Sequence, residues 1–214
     1  VPAPAASGGP RFMVAAANTL GAGIAVTLVL GPLSAATPMR GWLVAACAFV
    51  YVARVILTMY ITVQPPLTLV KGTLVGSGML VIHVAIGFVA SLAAASVGWW
   101  ALAGIVLYGL GSWLNTASET QRVRWKKRPR NVGHLYTRGL FRTCRHPDYL
   151  GDTIVFIGFA LIAGSPVALI LPIAMAAGYV FAAIPARDRR LAENYGDEFN
   201  LWAARSRRYI PFVY

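Results

Sequence analysis

The chain has 214 residues, with nineteen Lys and Arg against seven Asp and Glu and a formal net charge of +12. That excess would suit nucleic acid, but 57% hydrophobic residues, only 12% charged residues and a mean hydropathy of +0.63 exclude a soluble nucleic-acid binder and point to an integral membrane protein. The charge is also divided along the chain: every acid lies at or after Glu119, and only Arg11, Arg40, Arg54 and Lys71 among the basic residues precede it.

Residues 1–10, VPAPAASGGP, are small, uncharged and Pro-rich, and read as a flexible leader or a trimmed end, with no signal-peptide pattern. Apolar runs follow at 12–33, 42–62, 68–94, 98–117, 149–164 and 166–184. Most approach the ~20 residues a spanning helix needs, which predicts an all-α membrane protein of about six transmembrane helices. Six spans place both termini on one face, together with Arg11, Lys71, the basic 122–145 loop and the 187–208 tail. Because cytoplasmic loops retain Lys and Arg, that face is expected to be cytoplasmic. Cys47 falls in the second span and Cys144 in the loop, so neither a disulfide nor a metal-ligand spacing is predicted.

Arg54 is costly within the second span, at ~2.5 to 3.5 kcal/mol on insertion scales. Cys47, Tyr51 and Thr58 share its helical face, which suits a polar pocket; snorkelling of Arg54 to the membrane edge is the alternative. His83, alone on an apolar span, reads as a hydrogen-bonded core histidine. On the fourth helix, expected to run on to about Arg128, Tyr108, Ser112, Asn115, Glu119, Arg122 and Lys126 recur at steps of four and three, hence on one face. Such a line forms either a cavity wall or a hydrogen-bonded helix contact.

The segment from His134 to Asp152, HLYTRGLFRTCRHPDYLGD, is denser in chemistry. Pro147 can open the fifth helix, placing Asp148 and Asp152 one turn apart near its N-terminus. Arg142, Arg145 and His146 stand beside them and could hold phosphate or another anion. A retention signal or a polybasic patch for anionic lipid would explain the charge alone. The tail, with Arg187, Asp188 and Arg190 followed by Leu191, Tyr195, Phe199 and Trp202 on an apolar face, is expected to continue the sixth span as an arm and close over the loop. Two basic segments brought together require a polyanion or paired acids, and Asp188 alone is too few.

Asn115-Thr116-Ala117-Ser118-Glu119, Gly139-Leu140-Phe141, Arg145-His146-Pro147-Asp148-Tyr149-Leu150-Gly151-Asp152 and the closing Ile210-Pro211-Phe212-Val213-Tyr214 resemble the C-terminal region of the steroid 5-alpha-reductase family. The likeness covers about residues 108–214 and extends to the delta-14 and delta-7 sterol reductases through the His-Pro-x-Tyr-x-Gly-Asp element and Arg187, Asp188, Tyr195 and Gly196. Isoprenylcysteine carboxyl methyltransferases share Arg-His-Pro-x-Tyr-x-Gly and the arm. The resemblance divides the chain into N-terminal transmembrane helices at 11–107, on the substrate side, and a cofactor-binding region at 108–214.

By this resemblance Asn115, Glu119, His134, Asp148 and Arg187 stand where steroid reductases contact NADPH, with Arg145, His146 and Tyr149 in the shared motif; Asp148 replaces the usual Asn. Arg122 and Arg190 complete the expected cofactor-binding set. The first expectation is an NADPH-dependent reductase of an activated C=C bond in a sterol-like or other lipophilic substrate drawn from the bilayer. The family's N-terminal Glu has no counterpart here, so Tyr51, Arg54 and Tyr108 are the candidates for polarising the substrate. The alternative is a membrane methyltransferase using S-adenosylmethionine on a lipid or lipidated substrate, with Arg145, His146 and Asp188 at the cofactor. A third reading is a non-catalytic membrane sensor or scaffold.

Overall fold

The computed structural model describes residues 8–62 and 67–214, and the described part is mostly helical, its longest connection being the 127–146 loop. Residues 1–7 of the expected leader lie outside the described residues, and Gly8–Pro10 open the first helix rather than preceding it. Among the described residues eight α-helices follow in order: α1 (Gly8–Leu30), α2 (Pro38–Leu57), α3 (Leu69–Ser91), α4 (Trp99–Lys126), α5 (Pro147–Ala163), α6 (Ile170–Gly178), α7 (Ile184–Tyr195) and α8 (Asp197–Arg205). A π-helical turn at Tyr179–Ala183 joins α6 to α7, so a single rod carries the expected sixth span onward into the arm.

Among the described residues, four helical segments have the length and apolarity to cross a membrane: Gly8–Leu30, Pro38–Ile61, Leu69–Ser91 and Pro166–Tyr195. The expected fourth and fifth spans are helices too, but they differ from these four. The polar line along α4 dilutes its hydropathy, and α5 has seventeen residues, at the short limit for a bilayer crossing. The fold is an all-α membrane protein, with large apolar side chains such as Phe12, Trp42, Phe49, Leu74 and Phe181 directed outward.

The chain forms two compact units, one of residues 1–106 and 158–169, the other of residues 107–157 and 170–214. In the N-terminal unit α1 lies against α3 at near-backbone distance. A Cβ on Gly87 would fall 2.5 Å from the Ala25 Cα, and one on Gly21 would fall 2.8 Å from the Leu80 Cα. Small residues of this kind allow dispersion contacts to hold membrane helices where no hydrophobic driving force acts between them. Thr37 and Thr68 cap α2 and α3 by accepting from the Arg40 and Lys71 amides. Buried Arg40 donates through its two terminal nitrogens to the Ala93 and Ser96 carbonyls at 2.9 and 3.3 Å, while its Nε is buried without a partner.

In the C-terminal unit α4 and α5 meet through Gly111 and Gly151. A Cβ on Gly151 would lie 2.6 Å from the Asn115 amide nitrogen. The loop after α4 and the tail after α7 are pinned together by an apolar cluster of Leu135, Tyr136, Phe141, Phe199 and Trp202, whose indole nitrogen donates to the Phe141 carbonyl at 2.8 Å. Beside it runs a short parallel pairing in which the Arg145 amide donates to the Arg207 carbonyl at 2.7 Å and the Arg207 amide to that of Thr143 at 2.9 Å. Gly196, at φ +49°, turns the chain sharply from α7 into α8. The arm therefore closes over the loop, as the apolar face from Leu191 to Trp202 predicts.

Candidate functional site

The site is assembled in the C-terminal unit from α4, the start of α5 and the first turns of α7. Pro147 opens α5, and the loop pairing with Arg207 fixes the residues just before it. His146 is fully buried, and its Nε2 lies 2.9 Å from the Asp188 carboxylate on α7. The same carboxylate lies 3.2 Å from the Arg145 guanidinium and 3.8 Å from that of half-exposed Arg208. Arg145 also donates to the Ala203 and Ser206 carbonyls at 3.0 and 3.2 Å, so its fork anchors the arm as well as meeting Asp188.

A second pair stands close by, Asp148 two residues beyond His146 and Arg187 one residue before Asp188. Arg187 donates to Asp148 at 2.5 Å, and its guanidinium carbon lies 5.1 Å from the centre of the Tyr149 ring. Tyr149 stacks on Tyr179 with centroids 4.4 Å apart and also lies 5.4 Å from the His146 ring, both nearly parallel. Tyr209 follows edge-on to Tyr179, its hydroxyl 2.5 Å from that of Thr153. On α4 the Asn115 amide donates to the Asp148 carbonyl at 3.0 Å, and Arg122 grips Glu119 at 2.8 and 2.5 Å.

Three buried or half-buried acids, Glu119, Asp148 and Asp188, are thus each matched to a guanidinium, from Arg122, Arg187 and Arg145. Burial alone would raise the Asp148 carboxyl, but Arg187 and Arg122 outweigh it and hold the group near 2. Burial pushes Glu119 upward against the opposing pull of Arg122. It also lowers the His146 imidazole despite the Asp188 hydrogen bond, which favours the neutral ring at pH 7. With Nε2–H donating to Asp188, Nδ1 is left as the acceptor, and that atom is buried without a partner, as is the Asp148 Oδ1.

The structure gathers Asn115, Glu119, Arg122, Arg145, His146, Asp148, Tyr149, Arg187 and Asp188 as the sequence suggests, and Tyr108 lies buried on the same face of α4. Two expected members lie outside this cluster. His134 is largely exposed, 3.7 Å from Glu198, and Arg190 points outward from α7. Tyr51 and Arg54 belong to the N-terminal unit, where they are buried together with the Arg54 guanidinium 4.7 Å from the Tyr51 ring centre. Of the two expected counter-charges, paired acids are present in part: Asp148 and Asp188 face Arg187 and Arg145 across loop and arm, while Glu119 faces Arg122 on α4 itself. Tyr179, Thr153, Tyr209 and Arg208 were not foreseen; only the long-range closure of the chain brings them to Tyr149 and Asp188.

This fold and cluster define an all-α membrane protein with a buried, ion-paired polar centre. The chain belongs to the family described as "Protein of unknown function (DUF1295)", which matches residues 72–206 and lies in the steroid 5-alpha-reductase-like superfamily. It is similar to a "Probable O-methyltransferase ustE" of Ustilaginoidea virens, at 39% identity over 61 residues, which are 28% of this chain and 22% of that protein. It is also similar to the chloroplastic 15-cis-zeta-carotene isomerase of Arabidopsis thaliana, at 34% over 80 residues, 37% of this chain and 21% of the relative. The chain therefore spans about a fifth of the length of these relatives, both of which are named as enzymes.

Proposed function

We propose that the protein is a membrane-embedded methyltransferase that uses S-adenosylmethionine to methylate a lipophilic acceptor, with its cofactor site on the cytoplasmic face. The observation that carries this reading is the pairing of Arg122, Arg145 and Arg187 with Glu119, Asp188 and Asp148. A dinucleotide bearing several phosphates needs cations that are not already neutralised, and these three guanidiniums are. A ligand with both a carboxylate and an ammonium group suits a balanced set of donors and acceptors. The unpartnered Asp148 Oδ1 and the π faces of Tyr149 and Tyr179 add an acceptor and a surface favourable to an organic cation. The similarity to a probable O-methyltransferase supports the same direction.

When bound, the cofactor would supply an electrophilic methyl group. Arg187 and Asp148 would orient its charged amino-acid end, with Glu119 and Arg122 lining the α4 side. Asp188 holds the His146 ring in one tautomer, and the neutral Nδ1 would take the proton released by the acceptor. The apolar spans deliver that acceptor from the bilayer.

A second reading, the NADPH-dependent reductase, draws on a different feature. The C-terminal unit exposes Arg138, Arg142, Arg189, Arg190, Arg205 and Arg207, and these could bind phosphates outside the paired cluster. The test is transfer. Membranes containing the full chain are incubated with methyl-tritiated S-adenosylmethionine and a lipid extract, and label entering the organic phase is measured. Label above that of an Asp188→Ala control is expected; no label, combined with lipid-dependent NADPH oxidation, refutes the proposal.

A further inference from the structure

The N-terminal unit contains its own unsatisfied polar atoms, separate from the ion-paired cluster. Asn18 on α1 is fully buried, and neither its Oδ1 nor its Nδ2 is hydrogen-bonded. His83 on α3 is 1% exposed, and its Nε2 has no partner. Both lie along the close α1–α3 contact. Gly21, three residues beyond Asn18 on the buried face of α1, would carry a Cβ 3.2 Å from the His83 Cβ.

The chemistry of His83 is set by its neighbours. Its Nδ1 lies 3.0 Å from the Met79 carbonyl, and since a carbonyl only accepts, Nδ1 carries the proton. In the neutral ring Nε2 is then a lone-pair acceptor that calls for an O–H or N–H donor. Aromatic rings enclose the imidazole, Tyr51 at 5.3 Å and Phe159 at 6.3 Å, both edge-on. A buried acceptor flanked by aromatic edges within apolar helices is costly to leave unmatched.

We infer that the N-terminal unit binds the hydroxyl group of a lipophilic alcohol or phenol, whose O–H donates to His83 Nε2 while the Asn18 amide one turn along the helix contact meets further polar groups of the ligand. Carboxylates and ketones without an N–H or O–H do not fit, because they cannot donate to that nitrogen. The site uses none of the paired residues of the C-terminal unit and does not depend on the reaction proposed above.

The test uses the full chain in nanodiscs, with binding followed by thermophoresis. Three probes are used, farnesol, cholesterol and 4-nonylphenol, each beside its methyl ether, which keeps the shape and loses the donor. At least one alcohol is expected to bind roughly tenfold more tightly than its ether, in line with one hydrogen bond to a buried group. That preference should fall to near unity in His83→Phe, which retains a ring of similar size, and shrink in Asn18→Leu. Equal affinities within all three pairs, binding by none of the probes, or a preference unchanged in both variants overturns the inference. Should His83→Phe fail to fold, the wild-type comparison and Asn18→Leu decide.

Discussion

Asp188 meets three basic side chains, and its removal tests the geometry directly. Its carboxylate is 13% exposed and meets His146 at 2.9 Å, Arg145 at 3.2 Å and Arg208 at 3.8 Å. In Asp188→Ala the Arg145 guanidinium, 7% exposed, stays buried with no counter-ion and keeps only its bonds to Ala203 and Ser206. Breaking a buried pair from one side costs roughly 3–5 kcal/mol, and the two remaining carbonyls place this case near the lower end. Half-exposed Arg208 adds little, being screened by solvent. For a chain of this size each kcal/mol moves Tm by roughly 2–4 °C, so a fall of about 6–12 °C is expected. Thermal unfolding in mild detergent, followed by tryptophan fluorescence, measures it. Asp188→Leu combined with Arg145→Met should recover much of the loss, because both charges then leave the interior. A fall below about 2 °C in the single variant, or a double variant worse than the sum of the singles, would mean that Asp188 does not neutralise Arg145 in the interior.

Three further outcomes follow from the same geometry. Asp148 is held near 2 from an ordinary 3.8, so its stabilisation is fully present above about pH 4 and lost as pH falls through 2. Arg187→Met leaves burial to raise that carboxyl, so the acid-unfolding midpoint should move to higher pH; an unmoved midpoint contradicts the Asp148–Arg187 pairing. Gly151→Ala would place a Cβ 2.6 Å from the Asn115 nitrogen and 2.9 Å from the Gly111 oxygen, both backbone atoms with little room to yield. A destabilisation of roughly 1–3 kcal/mol is expected in denaturant titration, and a neutral result would mean that α4 and α5 do not approach this closely. Cys144 is 1% exposed, and burial pushes its thiol up to about 11. It should therefore resist iodoacetamide at pH 8 in the folded protein and react after denaturation, which mass spectrometry of the labelled peptide reads out.

Much of the helical layout was legible in the sequence because apolar runs and the four-and-three spacing on α4 are local signals. Tyr108, Asn115, Glu119 and Arg122 do share a buried or half-buried face, and the arm closes through Phe199 and Trp202 as its apolar stripe suggests. The pairing of charges was not legible. Arg187 meets Asp148 across 39 residues and His146 meets Asp188 across 42, distances over which a single sequence carries no period. Read one by one, Arg122, Arg145 and Arg187 look like free cations awaiting phosphate, and only the folded chain reveals the acid beside each. The span count illustrates the same limit. Polar residues needed inside the unit lower the hydropathy of α4, and Pro147 fixes the start of α5 at the loop edge and leaves that helix short. His83 was legible only in part: a core hydrogen bond was expected and Met79 supplies it, but neither that partner nor the second nitrogen left without one was foreseen.

The claim that the ion-paired cluster suits a zwitterionic cofactor rather than a polyanionic one is tested most directly by calorimetric titration of the purified full chain. S-adenosylmethionine and NADPH are titrated separately, into wild type and into Arg187→Met. Micromolar binding of S-adenosylmethionine, weakened at least tenfold by the substitution, is expected, with no saturable binding of NADPH. Tight binding of NADPH with none of S-adenosylmethionine would contradict the claim.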